Sequence, residues 1–170
     1  NYMRKIAFFG FVVFAVFALA SCLKKDSGCP YKELNITAAP ESEVQKVEQY
    51  LAGKGITALK DSSGLYYVVD AVGSGKVPEP CSTISVEYTG KFTNEQILDK
   101  SNGTPVNFRL GELIPAWQKG LKRIKAGGKI TLYIPPALGY GSTDFKDING
   151  NVVVPANSIL IFSLELIAVQ

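Results

Sequence analysis

Leu113-Ile114-Pro115-Ala116-Trp117-Gln118-Lys119-Gly120-Leu121-Lys122-Arg123-Ile124-Lys125-Ala126-Gly127-Gly128 carries the strong helix signal of the chain's C-terminal two thirds. Proline suits a first helical turn, Trp117, Leu121 and Ile124 share one face, and the glycine pair stops the run. On either side the spacing changes from helical to alternating. Ile84, Val86 and Tyr88 share one face, Ile130, Leu132 and Ile134 a second, and Leu160, Phe162, Leu164 and Leu166 a third. Strands are expected over 65–72, 83–92, 105–110, 129–134 and 159–169. A sheet apolar on one side needs a cover, and the helix at 115 supplies it. The expected architecture is therefore α+β, one antiparallel sheet covered by one short helix, occupying 62–170.

The 170 residues contain no histidine. That excludes Ser-His-Asp and Cys-His nucleophile systems, zincin motifs and imidazole general bases. CxxC, P-loop and GxSxG motifs are missing too, and Gly73-Ser74-Gly75 reads as a turn because no helix follows it. No metal centre and no cofactor are expected. The net charge of +3 falls by two, to +1, once Arg4 and Lys5 are set aside as part of a leader. A nearly neutral domain gives no electrostatic reason to expect nucleic acid.

The leader is read from Arg4-Lys5 followed by an uncharged run over 6–20, too short to span a bilayer. It ends in Leu19-Ala20-Ser21-Cys22, which resembles a bacterial lipobox; residues 1–21 are then a lipoprotein signal peptide and Cys22 the lipidated N-terminus. An uncleaved anchor helix is the alternative, and either one puts the body outside the inner membrane. Residues 22–61 read as a lipid-anchored tether and a short amphipathic helix from about 40 to 52. There Pro40, Glu41 and Glu43 start the helix, Val44, Val47 and Leu51 form its face, and Gly53 ends it. A face this narrow suits packing on its own domain better than dimerisation. With Cys22 lipidated, Cys29 and Cys81 are the thiols left in a disulfide-permissive compartment; a bridge between them and two buried free thiols both remain open.

Aromatic residues dominate what could be a site. Taken singly, Tyr88, Phe108 and Phe162 suit a core. Tyr140 instead lies between glycines in Leu138-Gly139-Tyr140-Gly141, where its hydroxyl can project into a pocket, and Trp117 opens the helix directly after Ile114-Pro115. At this point the chain resembles a known family. The blocks are Val86-Glu87-Tyr88-Thr89-Gly90; Leu98-Asp99 with Ser101; Phe108-Arg109-Leu110-Gly111; Leu113-Ile114-Pro115-Ala116-Trp117 with Gly120-Leu121; Ile134-Pro135-Pro136; Leu138-Gly139-Tyr140-Gly141; and Val154-Pro155-Ala156-Asn157-Ser158 with Leu160, Phe162 and Glu165-Leu166. In that order and spacing they resemble the FKBP-type peptidyl-prolyl cis-trans isomerases, here in a bacterial lipoprotein form.

The resemblance implies a curved antiparallel sheet wrapped around one short helix, preceded here by the N-terminal helix and the signal peptide. It implies a pocket with Trp117 as floor, Tyr88, Val154 and Phe162 as walls, and Tyr140 and Asp99 at the rim. Ile114 would bind a substrate carbonyl through its main-chain N–H, Tyr140 would donate its hydroxyl, and Asp99 would accept a bond from Tyr88. Leu98, Val106, Phe108, Leu113 and Val153 complete the substrate-binding set. Leu98 and Val106 stand where well-studied members have phenylalanine, which implies a wider pocket with a weaker grip on macrolide inhibitors. The loop from Ser142 to Val152 is longer than the usual turn.

The activity so implied is isomerisation of X-Pro bonds in unfolded or partly folded exported polypeptides, by a protein anchored through Cys22 to a bacterial membrane, the outer one. The alternative is a non-catalytic, lipid-anchored peptide-binding or chaperone module of the same fold.

Overall fold

The computed structural model describes residues 28–33 and 35–170. The expected signal peptide and Cys22 lie outside the described residues.

Alternating strands and glycine turns build one seven-stranded sheet. Its strands are β1 (Leu59–Lys60), β2 (Tyr66–Ala71), β3 (Thr83–Phe92), β4 (Ile97–Lys100), β5 (Val106–Arg109), β6 (Gly128–Ile134) and β9 (Leu160–Val169). All pairings are antiparallel, in the order β1-β2-β6-β9-β3-β4. β5 pairs with the first half of β3 and β4 with its second half, so two short strands share one edge. Bulges insert one extra residue at Asp70 in β2, at Ile167 in β9 opposite Ser85 and Val86, and at Leu98 in β4 opposite Gly90 and Lys91. Each bulge bends its strand, which is how a sheet of this width curves around a single helix. That helix, α2 (Pro115–Leu121), has proline in its first turn and lies on the inner face, with Ala116, Trp117 and Leu121 buried. Ile124 is equally buried although the helix ends at Leu121, because the following turn stays on the core.

The five expected strands are found with their ends shifted by at most one residue. β1, β4, β7 (Phe145–Lys146) and β8 (Val152–Val154) were not expected. The long loop of 142–152 folds as a β7–β8 hairpin in which Asp147 closes the turn by accepting from the N–H groups of Asn149 and Asn151, at 2.8 and 2.9 Å.

The N-terminal helix, α1 (Glu41–Lys54), buries Val44, Val47 and Leu51. It runs past Gly53 and ends at Gly55, whose φ of 65° is the left-handed geometry of a helix stop. Tyr133 and Ile161 are cross-strand partners whose neighbours Leu132 and Phe162 face α2, yet both are buried. Tyr50 of α1 lies over that outer face, its ring 6.4 Å from Tyr133. So α1 packs on its own sheet. Because α1 joins the core and β1 pairs with β2, the packed unit begins ahead of residue 62.

Cys29, Tyr31 and Glu33, ahead of α1, are fastened to the domain. Cys29 and Cys81 are joined as a disulfide, their Cα atoms 5.7 Å apart. Tyr31 donates to Glu112 and Lys122 pairs with Glu33.

Candidate active site

Strand alternation turns Tyr88 of β3, Phe108 of β5 and Phe162 of β9 onto the inner face, where α2 presents Trp117 to all three. Trp117 stands edge-on to Phe162 at 5.3 Å, to Tyr88 at 5.4 Å and to Phe108 at 5.9 Å between ring centroids. Edge-to-face contacts of this kind hold rings rigidly. They leave one side of the cluster uncovered, and a cavity of about 430 Å³ opens there, rimmed by Leu98, Asp99, Leu113, Ile114, Tyr140, Phe145, Val153 and Val154. The indole Nε1 of Trp117 is buried without a hydrogen-bond partner among the described residues.

The polar groups at this cavity are few. Tyr88 donates its hydroxyl to Asp99 Oδ2 at 2.7 Å, and Lys100 N–H donates to Asp99 Oδ1 at 2.8 Å, so both carboxylate oxygens are engaged. Burial, then the bond to Asp99 and its charge, push the Tyr88 phenol up to about 12. Burial and the same carboxylate raise Tyr140 as well. Both phenols therefore stay protonated near neutral pH. Neither the Tyr140 hydroxyl nor the Ile114 N–H has a hydrogen-bond partner among the described residues. The site thus offers two unspent donors above a floor of rings. Such an arrangement can bind and orient an apolar, carbonyl-bearing segment.

The model of the FKBP-type peptidyl-prolyl cis-trans isomerases matches residues 75–167, more than half of the chain. The chain belongs to this family. It is 40% identical over 152 residues to the FKBP-type isomerase FkpA of Buchnera aphidicola subsp. Schizaphis graminum, covering 82% of this chain and 57% of that one. The crystal structure of FkpA from Escherichia coli superposes with a TM-score of 0.64 at 38% identity, over 76% of this chain and 58% of that chain. A peptidyl-prolyl cis-trans isomerase from Pseudomonas syringae pv. tomato gives a TM-score of 0.64 at 28% identity, over 79% and 98% of the two chains. The chain spans about half the length of the curated relatives it matches.

Within this FKBP-type domain eleven of the twelve expected pocket residues line the cavity: Tyr88, Leu98, Asp99, Phe108, Leu113, Ile114, Trp117, Tyr140, Val153, Val154 and Phe162. Val106 does not. It shares a face with Phe108 but lies two residues along β5, ~6.6 Å at the usual strand rise, and pairs with Val86 away from the opening. Of Leu98 and Val106, only Leu98 lines the cavity. Sequence reasoning missed Phe145, whose ring lies 4.8 Å from that of Tyr140 and extends the aromatic surface onto the β7–β8 hairpin. An aromatic residue inside the unusually long loop was the available signal.

Proposed function

We propose that this chain isomerises X-Pro peptide bonds in exported, incompletely folded polypeptides, and that lipid on Cys22 holds it at a bacterial membrane, the outer one. The observation that carries the isomerase reading is the aromatic cavity around Trp117 with two donors, Ile114 N–H and Tyr140 O–H, that have no partner among the described residues.

Rotation about X-Pro meets a barrier of ~20 kcal/mol from amide resonance, and no proton need move to cross it. In the twisted state resonance is lost and the carbonyl carries less charge separation, so an apolar, water-poor site stabilises it relative to the planar form. Trp117, Phe162 and Val154 supply that surface. Ile114 N–H and Tyr140 O–H orient the flanking carbonyls, and Asp99, held by Tyr88, sets the local field at the rim. Leu98 leaves room beside the floor, which supports weak binding of macrolide inhibitors.

The test is a protease-coupled proline isomerisation assay on the full chain in detergent. A rate above the uncatalysed exchange is expected, with kcat/KM cut about fivefold by Tyr140→Phe and by Asp99→Val, the scale of one lost hydrogen bond. Wild type giving only the uncatalysed rate would leave a non-catalytic peptide-binding module. For the anchor, cells fed labelled palmitate are expected to label the wild type and leave Cys22→Ser unlabelled; equal labelling would remove the lipid from the reading.

A further inference from the structure

The expected carbonyl-binding N–H of Ile114 lies on the short segment between β5 and α2, where strand pairing does not hold it. Its orientation comes from elsewhere. Gln118, on the first turn of α2 and only 7% exposed, donates its side-chain Nε2 to Leu113 O at 2.7 Å and to Gly111 O at 3.3 Å. Two carbonyl acceptors require the NH₂ end of the amide, which settles which way the side chain points. Leu113 O belongs to the same peptide unit as Ile114 N–H. In a trans peptide the two point in opposite directions, so gripping the oxygen fixes the plane and turns the N–H away from Gln118. On the other side of the residue, Ile114 O accepts from the main-chain N–H groups of Trp117 and Gln118 at 3.0 and 3.3 Å. Ile114 is thus held through both of its peptide units, and its own N–H has no partner among the described residues. Donation into Leu113 O also polarises that amide and strengthens the N–H as a donor.

We infer that Gln118 is a positioning residue for substrate binding, which acts by clamping the Leu113–Ile114 peptide so that Ile114 N–H faces the incoming carbonyl. The inference rests on the isomerase reading and names the device that prepares its donor.

The test compares the full-length wild type in detergent with Gln118→Met, which keeps length and loses the donor, and Gln118→Glu, which keeps shape and donates only when protonated. Gln118→Met is expected to lower kcat/KM about tenfold, mostly through KM, because a bond present in both planar and twisted states contributes uniform binding. The Ile114 amide nitrogen resonance should move with it, since that nitrogen senses hydrogen bonding at Leu113 O. Burial beside two carbonyl oxygens raises the introduced carboxyl above its ordinary value of about 4.3, so Gln118→Glu should match Gln118→Met at about pH 8 and recover toward wild type near pH 5, while Gln118→Met stays flat. This recovery is a readout that simple loss of packing would not produce, and it decides the matter if Gln118→Met fails to fold. An active wild type with unaltered variants, or a Gln118→Glu defect independent of pH, would overturn the clamp alone. An inactive wild type would overturn the isomerase reading and the clamp together.

Discussion

Gly90→Val is expected to lower kcat/KM by about a hundredfold while the chain still folds, because a pocket wall displaced by about 1 Å costs on that order. Gly90 lies in β3 directly opposite Phe162 of β9, and the Phe162 ring rests on the bare Cα. A Cβ there would stand 2.6 Å from Phe162 Cζ and 2.9 Å from Cδ1, well inside contact distance. The ring cannot simply swing aside, since Trp117 and Tyr88 hold it at 5.3 and 6.4 Å. Relief comes only by tilting Phe162 into the cavity, at a packing cost of ~1–3 kcal/mol. Turnover and thermal melts on the same preparation separate the two effects. The double variant Gly90→Val/Phe162→Ala should be no worse than Phe162→Ala alone, since the obstructing ring is gone. Wild-type turnover in Gly90→Val would show that the wall is softer than its contacts indicate.

Asp61→Ala is expected to destabilise the fold by about 2–3 kcal/mol at neutral pH, or roughly 5–10 °C in Tm. Asp61 immediately precedes the turn into β2, and its side chain is only 8% exposed. It accepts from Ser63 N–H at 2.8 Å, Ser63 Oγ at 2.6 Å and Arg123 Nη2 at 2.8 Å, with Lys119 Nζ at 3.3 Å. One carboxylate therefore ties the end of α2 to the entrance of the sheet. Removing it strands the buried Ser63 N–H, while Lys119 and Arg123, 26% and 31% exposed, can turn to water; that keeps the cost below the ~3–5 kcal/mol of breaking a fully buried ion pair. The same group governs acid behaviour. Burial works to raise its pKa, but the bonds from Ser63 and Arg123 and the charge of Lys119 outweigh it, leaving the folded value below the ordinary one. A depressed carboxylate contributes stability above its unfolded pKa of about 3.9, and loses it as pH falls through the folded value. Wild type should therefore lose stability steadily below about pH 4, and Asp61→Asn should show a shallower acid limb. Denaturation midpoints at neutral and acid pH check both; an Asp61→Ala midpoint equal to wild type would mean the network holds nothing together.

Legibility followed burial. β3, β6 and β9 were readable because each buries its inner face along its length while much of the other face stays partly exposed, which leaves a period of two on the residues, and these strands carry Tyr88 and Phe162. β4 was not readable: of Ile97–Lys100 only Leu98 is even partly buried, so no alternation exists to detect. Ile124 was placed correctly in the core by helical spacing although the helix had ended, since the apolar side chain matters more to packing than the hydrogen-bond pattern. Helix α1 was legible as a helix, but the surface it covers was not. Tyr66, Tyr133 and Ile161 look like the outward side of amphipathic strands until Tyr50 and its neighbours lie over them.

The site divides along the same line. Its ordered motifs, the glycines around Tyr140 and the proline before Trp117 are local features, written in consecutive residues, and the missing histidine limits the chemistry to reactions without an imidazole. These the sequence determined alone. Whether Val106 reaches the pocket, that Phe145 joins it, that Phe162 leans on Gly90, that Cys29 reaches Cys81 and that Gln118 grips Leu113 O were decided only by the tertiary structure. Each depends on the register between strands or on how a helix or arm sits against them. Those relations are set by global packing of the core, and the residue types within any one segment do not encode them.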